Sequence, residues 1–76
     1  MEVCIKLFAH YRNGRYAERM EKVADGTTVS TIIRELGVDQ PDDPIGILLI
    51  NGRHAKRDDV LRNNDVLSIF PMLGGG

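Results

Sequence analysis

Only one stretch of this chain repeats its apolar residues at helical spacing. Val29, Ile32, Ile33 and Leu36 fall at i, i+3, i+4 and i+7 and draw one apolar stripe, with Thr28 placed as the N-cap and Gly37 as the C′ residue that ends the helix. The other regular patterning is that of strands. A lone amphipathic helix must bury its stripe against another layer. Strands on both sides of it in sequence point to an α+β two-layer fold, one helix on one face of a small mixed sheet.

The strands follow from alternation and turn signals. Val3, Ile5 and Leu7 alternate with Cys4, Lys6 and Phe8, predicting a first strand over residues 2–9. Asn13-Gly14 is a hairpin signal, and residues 16–23 are expected to return as an exposed edge strand, although Glu18, Arg19, Glu21 and Lys22 also suit a helix. Asp39-Gln40-Pro41-Asp42-Asp43-Pro44 reads as a loop. The nearly continuous apolar run Ile45-Gly46-Ile47-Leu48-Leu49-Ile50 predicts a central strand, which Asn51-Gly52 turns back into a short strand over Arg53 to Lys56. Asp58-Asp59-Val60-Leu61 is expected to form a helical turn whose two apolar residues plug the core. Asn63-Asn64-Asp65 makes the last turn, and residues 66–71 form the final strand.

Seventy-six residues suffice for one modest core and not for two, so any large substrate pocket has to be shared with a partner. A net charge of −1 selects neither nucleic acid nor an anionic membrane, and no apolar run approaches the roughly 20 residues needed to span a bilayer. The single cysteine, Cys4, has no internal partner and the first residues lack a signal-peptide pattern, so a cytoplasmic location is expected. The chain divides into a body of residues 1–71 and a flexible glycine-rich tail of residues 72–76. Glycine adds no Cβ bulk, and from Pro71 to Gly76 the extended chain reaches about 20 Å, enough to bring a terminal carboxylate into another protein's buried site.

Lys6-Leu7-Phe8-Ala9 with Arg12, Asp25-Gly26-Thr27-Thr28-Val29, Asn51-Gly52, and Asp65-Val66-Leu67-Ser68-Ile69-Phe70-Pro71 before Gly75-Gly76 resemble the MoaD/ThiS sulfur carriers in order and spacing. The Leu-Phe-Ala opening with its Arg and the Phe-Pro before the tail are most similar to the molybdopterin synthase small-subunit branch. The resemblance implies a ubiquitin-like β-grasp fold. It also implies that Gly76 is the reacting residue: an adenylating partner of the ubiquitin-activating type uses ATP to form an acyl-adenylate, and a donor such as a cysteine desulfurase supplies sulfur for a thiocarboxylate. Pro71, Met72, Leu73, Gly74 and Gly75 would then enter the partner. In the molybdopterin branch that partner is the large synthase subunit, which holds the catalytic residues. The chain itself would bind no cofactor. Met72 stands where a second proline is frequent in this branch, and Gly74 where alanine or serine is usual, so a looser tail is expected.

Strand parity adds a candidate docking surface. If Val3, Ile5, Leu7, Leu67 and Ile69 face the helix, then Phe8, Leu49 and Phe70 lie on the opposite face as an apolar patch at the tail's root; a slip of one residue would instead bury them. Cys4 reads as a small strand residue, and His10 and His54 lie too far apart for a ligand motif, so no metal is expected. Arg53, Lys56, Arg57 and Arg62 form a basic cluster balanced by Asp58, Asp59 and Asp65. It is ordinarily a solvated surface, though Arg12, Arg53, Lys56 and Arg57 suit steering onto an acidic partner.

The reading is a sulfur carrier for molybdenum or tungsten cofactor synthesis. Two alternatives stay open: a carrier for thiamin, thionucleoside or amino-acid synthesis or a ubiquitin-like modifier, and a β-grasp interaction module whose tail has no chemistry.

Overall fold

The computed structural model describes residues 1–73. The elements run β1 (Glu2–Leu7), a 3-10 turn (Ala9–Arg12), β2 (Glu18–Lys22), α1 (Val29–Leu36), β3 (Ile45–Ile50), β4 (Arg53–His54) and β5 (Val66–Pro71). They form one five-stranded sheet in the order β2-β1-β5-β3-β4. β1 and β5 are parallel and the other neighbours antiparallel, so the sheet is mixed. The first and last strands lie side by side at its centre. This is the ubiquitin-like β-grasp arrangement, with α1 against one face.

The helix stands where its stripe requires. Thr28 accepts a hydrogen bond from the Thr31 N–H, and Gly37 closes the helix in the left-handed region at φ 73°, with its own N–H donated to the carbonyls of Ile33 and Arg34. Val29, Ile32 and Ile33 are buried against Val3, Ile5 and Leu7 of β1 and Leu67 and Ile69 of β5. Burying the stripe is what holds a helix of eight residues, because one so short is marginal alone in water.

Four boundaries differ from expectation, each for a local reason. β1 ends at Leu7, because Ala9 turns to φ 53° and starts the 3-10 turn; Asn13-Gly14 therefore closes a longer excursion and not a two-residue hairpin. β2 covers only Glu18–Lys22, the residues in register with β1. β4 is two residues long, paired with Leu49 and Ile50 across an Asn51-Gly52 turn in which both residues have positive φ. Residues 58–61 form no helix: a turn at Arg57-Asp58 leads into an isolated β-bridge between Val60 and Thr28. Leu61 plugs the core at 2% exposure, whereas Val60 is 55% exposed. β3 is also less central than its apolar run suggests: it is second from the edge, and Ile47 and Leu49 lie on the open face.

Candidate functional site

The last strand delivers the tail from the middle of the sheet. Pro71 is buried and paired with Ile45, and the next N–H, that of Met72, donates to the Pro44 carbonyl at 2.9 Å. The register then shifts between Ile45 and Ile47, a bulge centred on Gly46. A Cβ built on Gly46 would lie 2.9 Å from Met72 Cα and 3.0 Å from the Pro71 carbonyl oxygen, closer than side chains tolerate. Gly46 is thus what lets the tail leave the sheet flush against β3. The bulge also turns Ile45 into the core while Ile47 faces outward. Beyond this root Met72 and Leu73 are exposed. Gly74, Gly75 and Gly76 lie outside the described residues.

Beside the root is an aromatic stack. Phe8 and Phe70 lie on the open sheet face with ring centroids 4.0 Å apart and planes 10° from parallel, and both are half-buried. Their approach follows from the parallel pairing of Leu7 with Ile69, continued by the Phe8 N–H to the Ile69 carbonyl at 3.2 Å. Ile47 sits opposite Phe70 and is 44% exposed; Leu49, half-buried, is opposite Ser68. The structure thus brings Phe8, Phe70 and Leu49 onto one face and adds Ile47. Alternation counted back from Leu49 marks Ile47 as outward-facing.

Arg12 completes this corner. Its Nε donates to the Leu7 carbonyl at 2.7 Å, which holds the guanidinium 5.4 Å from the Phe8 ring centroid. No local pattern ties Arg12 to that ring, because the Asn13-Gly14 hairpin signal gives no sign of the 3-10 turn that folds it back. The same turn braces the loop under the tail root: Tyr11 Oη donates to the Asp43 carbonyl at 2.8 Å, and His10 Nε2 meets Asp43 Oδ1 at 2.6 Å. Asp43 precedes Pro44, whose carbonyl receives Met72. Burial raises the Tyr11 hydroxyl above its ordinary pKa of 10.0, with a further push from the Asp43 carboxylate.

The basic residues do not act as one group. Arg12 belongs to the Phe8 corner, Arg57 is tied to Asp39 at 2.8 Å, and Arg53 stands at the sheet edge on β4. Among the described residues, no three His, Cys, Asp or Glu are grouped to hold a metal ion, and no helix is long and apolar enough to cross a membrane. Cys4 is buried. What the arrangement offers is delivery: a braced exit point, an apolar and cationic surface next to it, and the exposed Met72 and Leu73 beyond.

The sequence profile of the ThiS family matches residues 5–76. Among solved structures, SAMP1 from Haloferax volcanii is 25% identical, with all of both chains covered and a TM-score of 0.79. A second structure of H. volcanii small archaeal modifier protein 1 is also 25% identical, covering 92% of this chain and 95% of that one, with a TM-score of 0.75. A Pyrococcus furiosus protein assigned as molybdopterin converting factor subunit 1 is 24% identical, covering 93% and 97%, with a TM-score of 0.75. The search of curated proteins found no match.

Proposed function

Because the chain belongs to the ThiS family, a family of small β-grasp carriers and ubiquitin-like modifiers, we propose that it is a sulfur carrier activated at the carboxylate of Gly76. Within that reading it serves as the small subunit of a molybdopterin synthase. The observation that carries the proposal is the braced tail root: Met72 is held by Pro44 and admitted by Gly46, beside the Phe8–Phe70 stack. A segment anchored this way projects from a fixed origin, which lowers the entropy lost on threading a partner's channel.

The chemistry divides between the chain and its partners. A carboxylate is a poor electrophile. The activating partner has one Gly76 carboxylate oxygen attack the α-phosphate of ATP, releasing pyrophosphate and forming the acyl-adenylate. The terminal persulfide sulfur of a cysteine desulfurase or related donor then attacks the acyl carbon and AMP leaves, giving an acyl disulfide; a second thiol cleaves its S–S bond, forming a disulfide with the donor's sulfur and releasing the thiocarboxylate. The thiocarboxylate is a nucleophilic sulfur on a protein handle. In the large synthase subunit, whose residues carry out the catalysis, two such transfers build the dithiolene of a pyranopterin precursor. Phe8, Leu49 and Phe70 are the docking face, and Pro71, Met72, Leu73, Gly74 and Gly75 the inserted segment. ATP belongs to the partner.

A second reading is favoured by the likeness to small archaeal modifier protein 1: the same activated Gly76 is transferred to a lysine of a target protein. ATP–pyrophosphate exchange by the cognate activating enzyme tests the step common to both. Exchange that depends on the chain and is lost on deletion of Gly76 supports the proposal; exchange indifferent to that deletion overturns it. Capture of a pterin-processing large subunit, against recovery of lysine-linked conjugates, separates the two fates.

A further inference from the structure

We propose that β2 pairs antiparallel with β2 of a second copy of this chain, joining two molecules about a two-fold axis at Met20. β2 is an outermost strand of the sheet. Its Glu21 and Arg19 stand opposite Val3 and Ile5 of β1, and the ladder is continued by the Leu7 N–H to the Ala17 carbonyl and the Val23 N–H to the Met1 carbonyl. Residues 17, 19, 21 and 23 thus turn their main-chain groups toward β1, so Glu18, Met20 and Lys22 turn theirs away from the sheet. Met20, in the middle of this edge, is 53% exposed.

Charge on an edge strand ordinarily keeps sheets apart. Here it falls opposite its own complement. In an antiparallel pair centred on Met20, Glu18 faces Lys22 of the second copy and Arg19 faces its Glu21, each twice by symmetry, with Met20 against Met20. The match runs on at both ends, where Ala17 meets Val23 and Tyr16 meets Ala24. No position from 16 to 24 is mismatched. Moving the axis by one residue, the smallest shift that keeps the outward groups paired, sets Arg19 on Arg19 or Glu21 on Glu21.

β1 extends the pattern on the open face. Glu2 stands opposite Lys22, and Lys6 opposite Glu18, whose carboxylate lies 3.7 Å from the Lys6 amine. Across the joined edges one row reads Glu2, Lys22, Glu18, Lys6 and its mate the reverse, so the signs alternate through both copies. The outward groups of Glu18, Met20 and Lys22 exchange about six hydrogen bonds. The edge holds two acids and two bases, so its net charge selects no acidic or basic ligand. What it selects is the same order of signs read backwards, which this chain itself supplies. The contact is smaller than the roughly 1,000 Å² of a stable interface, so the dimer is reversible, with a dissociation constant of about 0.1–1 mM. Its axis is perpendicular to the sheet. Both Phe8–Phe70 faces therefore lie on one side, and the two tail roots point in opposite directions, free for other partners.

The test is sedimentation equilibrium with amide NMR of the full chain, from about 20 μM to about 2 mM at low salt. It requires no activation of Gly76, so its result is independent of the sulfur chemistry. Expected is a monomer–dimer equilibrium with concentration-dependent shifts centred on residues 16–24. Met20→Pro removes an outward N–H that β1 does not use and should abolish association. R19E makes both facing positions acidic and E21R makes both basic. Each alone should weaken association about tenfold or more, and mixing the two variants should restore it as a heterodimer, a recovery that does not depend on the folding of Met20→Pro. A monomer at the highest concentration, shifts centred on Phe8 and Phe70 or on β4, undiminished association in R19E, or no recovery on mixing would overturn the proposal.

Discussion

Gly46 and Met72 are in backbone contact at the point where the tail leaves the sheet: a Cβ on Gly46 would stand 2.9 Å from Met72 Cα. Met72 is held from the other side by the Pro44 carbonyl, at the end of a loop that Tyr11 ties down through Asp43. The tail's origin is thus a built feature of the fold, and at position 46 a side chain would displace it.

Gly46→Ala is expected to move the tail root, cutting kcat/KM for partner-driven adenylation about tenfold or more while costing the fold about 1–3 kcal/mol. Met72→Pro removes the N–H donated to Pro44 without adding bulk at Gly46, and should give a smaller loss. Steady-state adenylation beside thermal melts separates the two effects. Full activity in Gly46→Ala would show that the root's position is irrelevant.

Phe8→Ala and Phe70→Ala should each weaken partner binding strongly, by about 2 kcal/mol or more if the stack is a hot spot of the interface. In the free protein the double-mutant cycle should return a coupling of about 0.5–1.5 kcal/mol, as for other aromatic pairs. Calorimetric titration with the activating enzyme and denaturant melts of the four proteins supply both numbers.

Thr28→Ala removes the side-chain acceptor at the start of α1 and should cost about 1 kcal/mol, seen as a melting point about 4–8 °C lower. Adenylation at a temperature where the variant is folded should be unchanged, because the cap is remote from the tail root.

The raised pKa of Tyr11 fixes the sign of an alkaline effect. The neutral hydroxyl is favoured in the folded state, so its contribution is full below the ordinary value of 10.0 and is lost as pH rises through the folded value. Tyr16, also raised mainly by burial, acts in the same direction. Urea melts at increasing pH should show stability falling above about 10, and Tyr11→Phe should flatten part of that fall. At neutral pH the variant should lose about 0.5–1.5 kcal/mol with the Asp43 hydrogen bond.

Much of this was legible in the residues. The spacing from Val29 to Leu36, flanked by Thr28 and Gly37, defines the helix because side-chain periodicity and both caps agree. The alternation in β1 and β5 places Phe8 and Phe70 on one face because parity in a strand has only two outcomes. What local pattern does not carry is tertiary. Asn13-Gly14 looks like a tight hairpin until Tyr11 and His10 reach Asp43, more than thirty residues on, and draw the chain into a 3-10 turn. Val60 and Leu61 are equally apolar, and the Thr28–Val60 backbone bridge belongs to the turn that sends one inward and the other out. Gly46 inside an apolar run did carry a signal, since a strand glycine marks a bulge or a close approach.

The most direct test is the intact mass of the chain after incubation with its activating enzyme, ATP and a sulfur donor. The account predicts a mass gain equal to replacing one oxygen by one sulfur, mapped to the C-terminal peptide and absent when Gly76 is deleted. An unchanged mass, with a partner that demonstrably consumes ATP in the chain's presence, would contradict it.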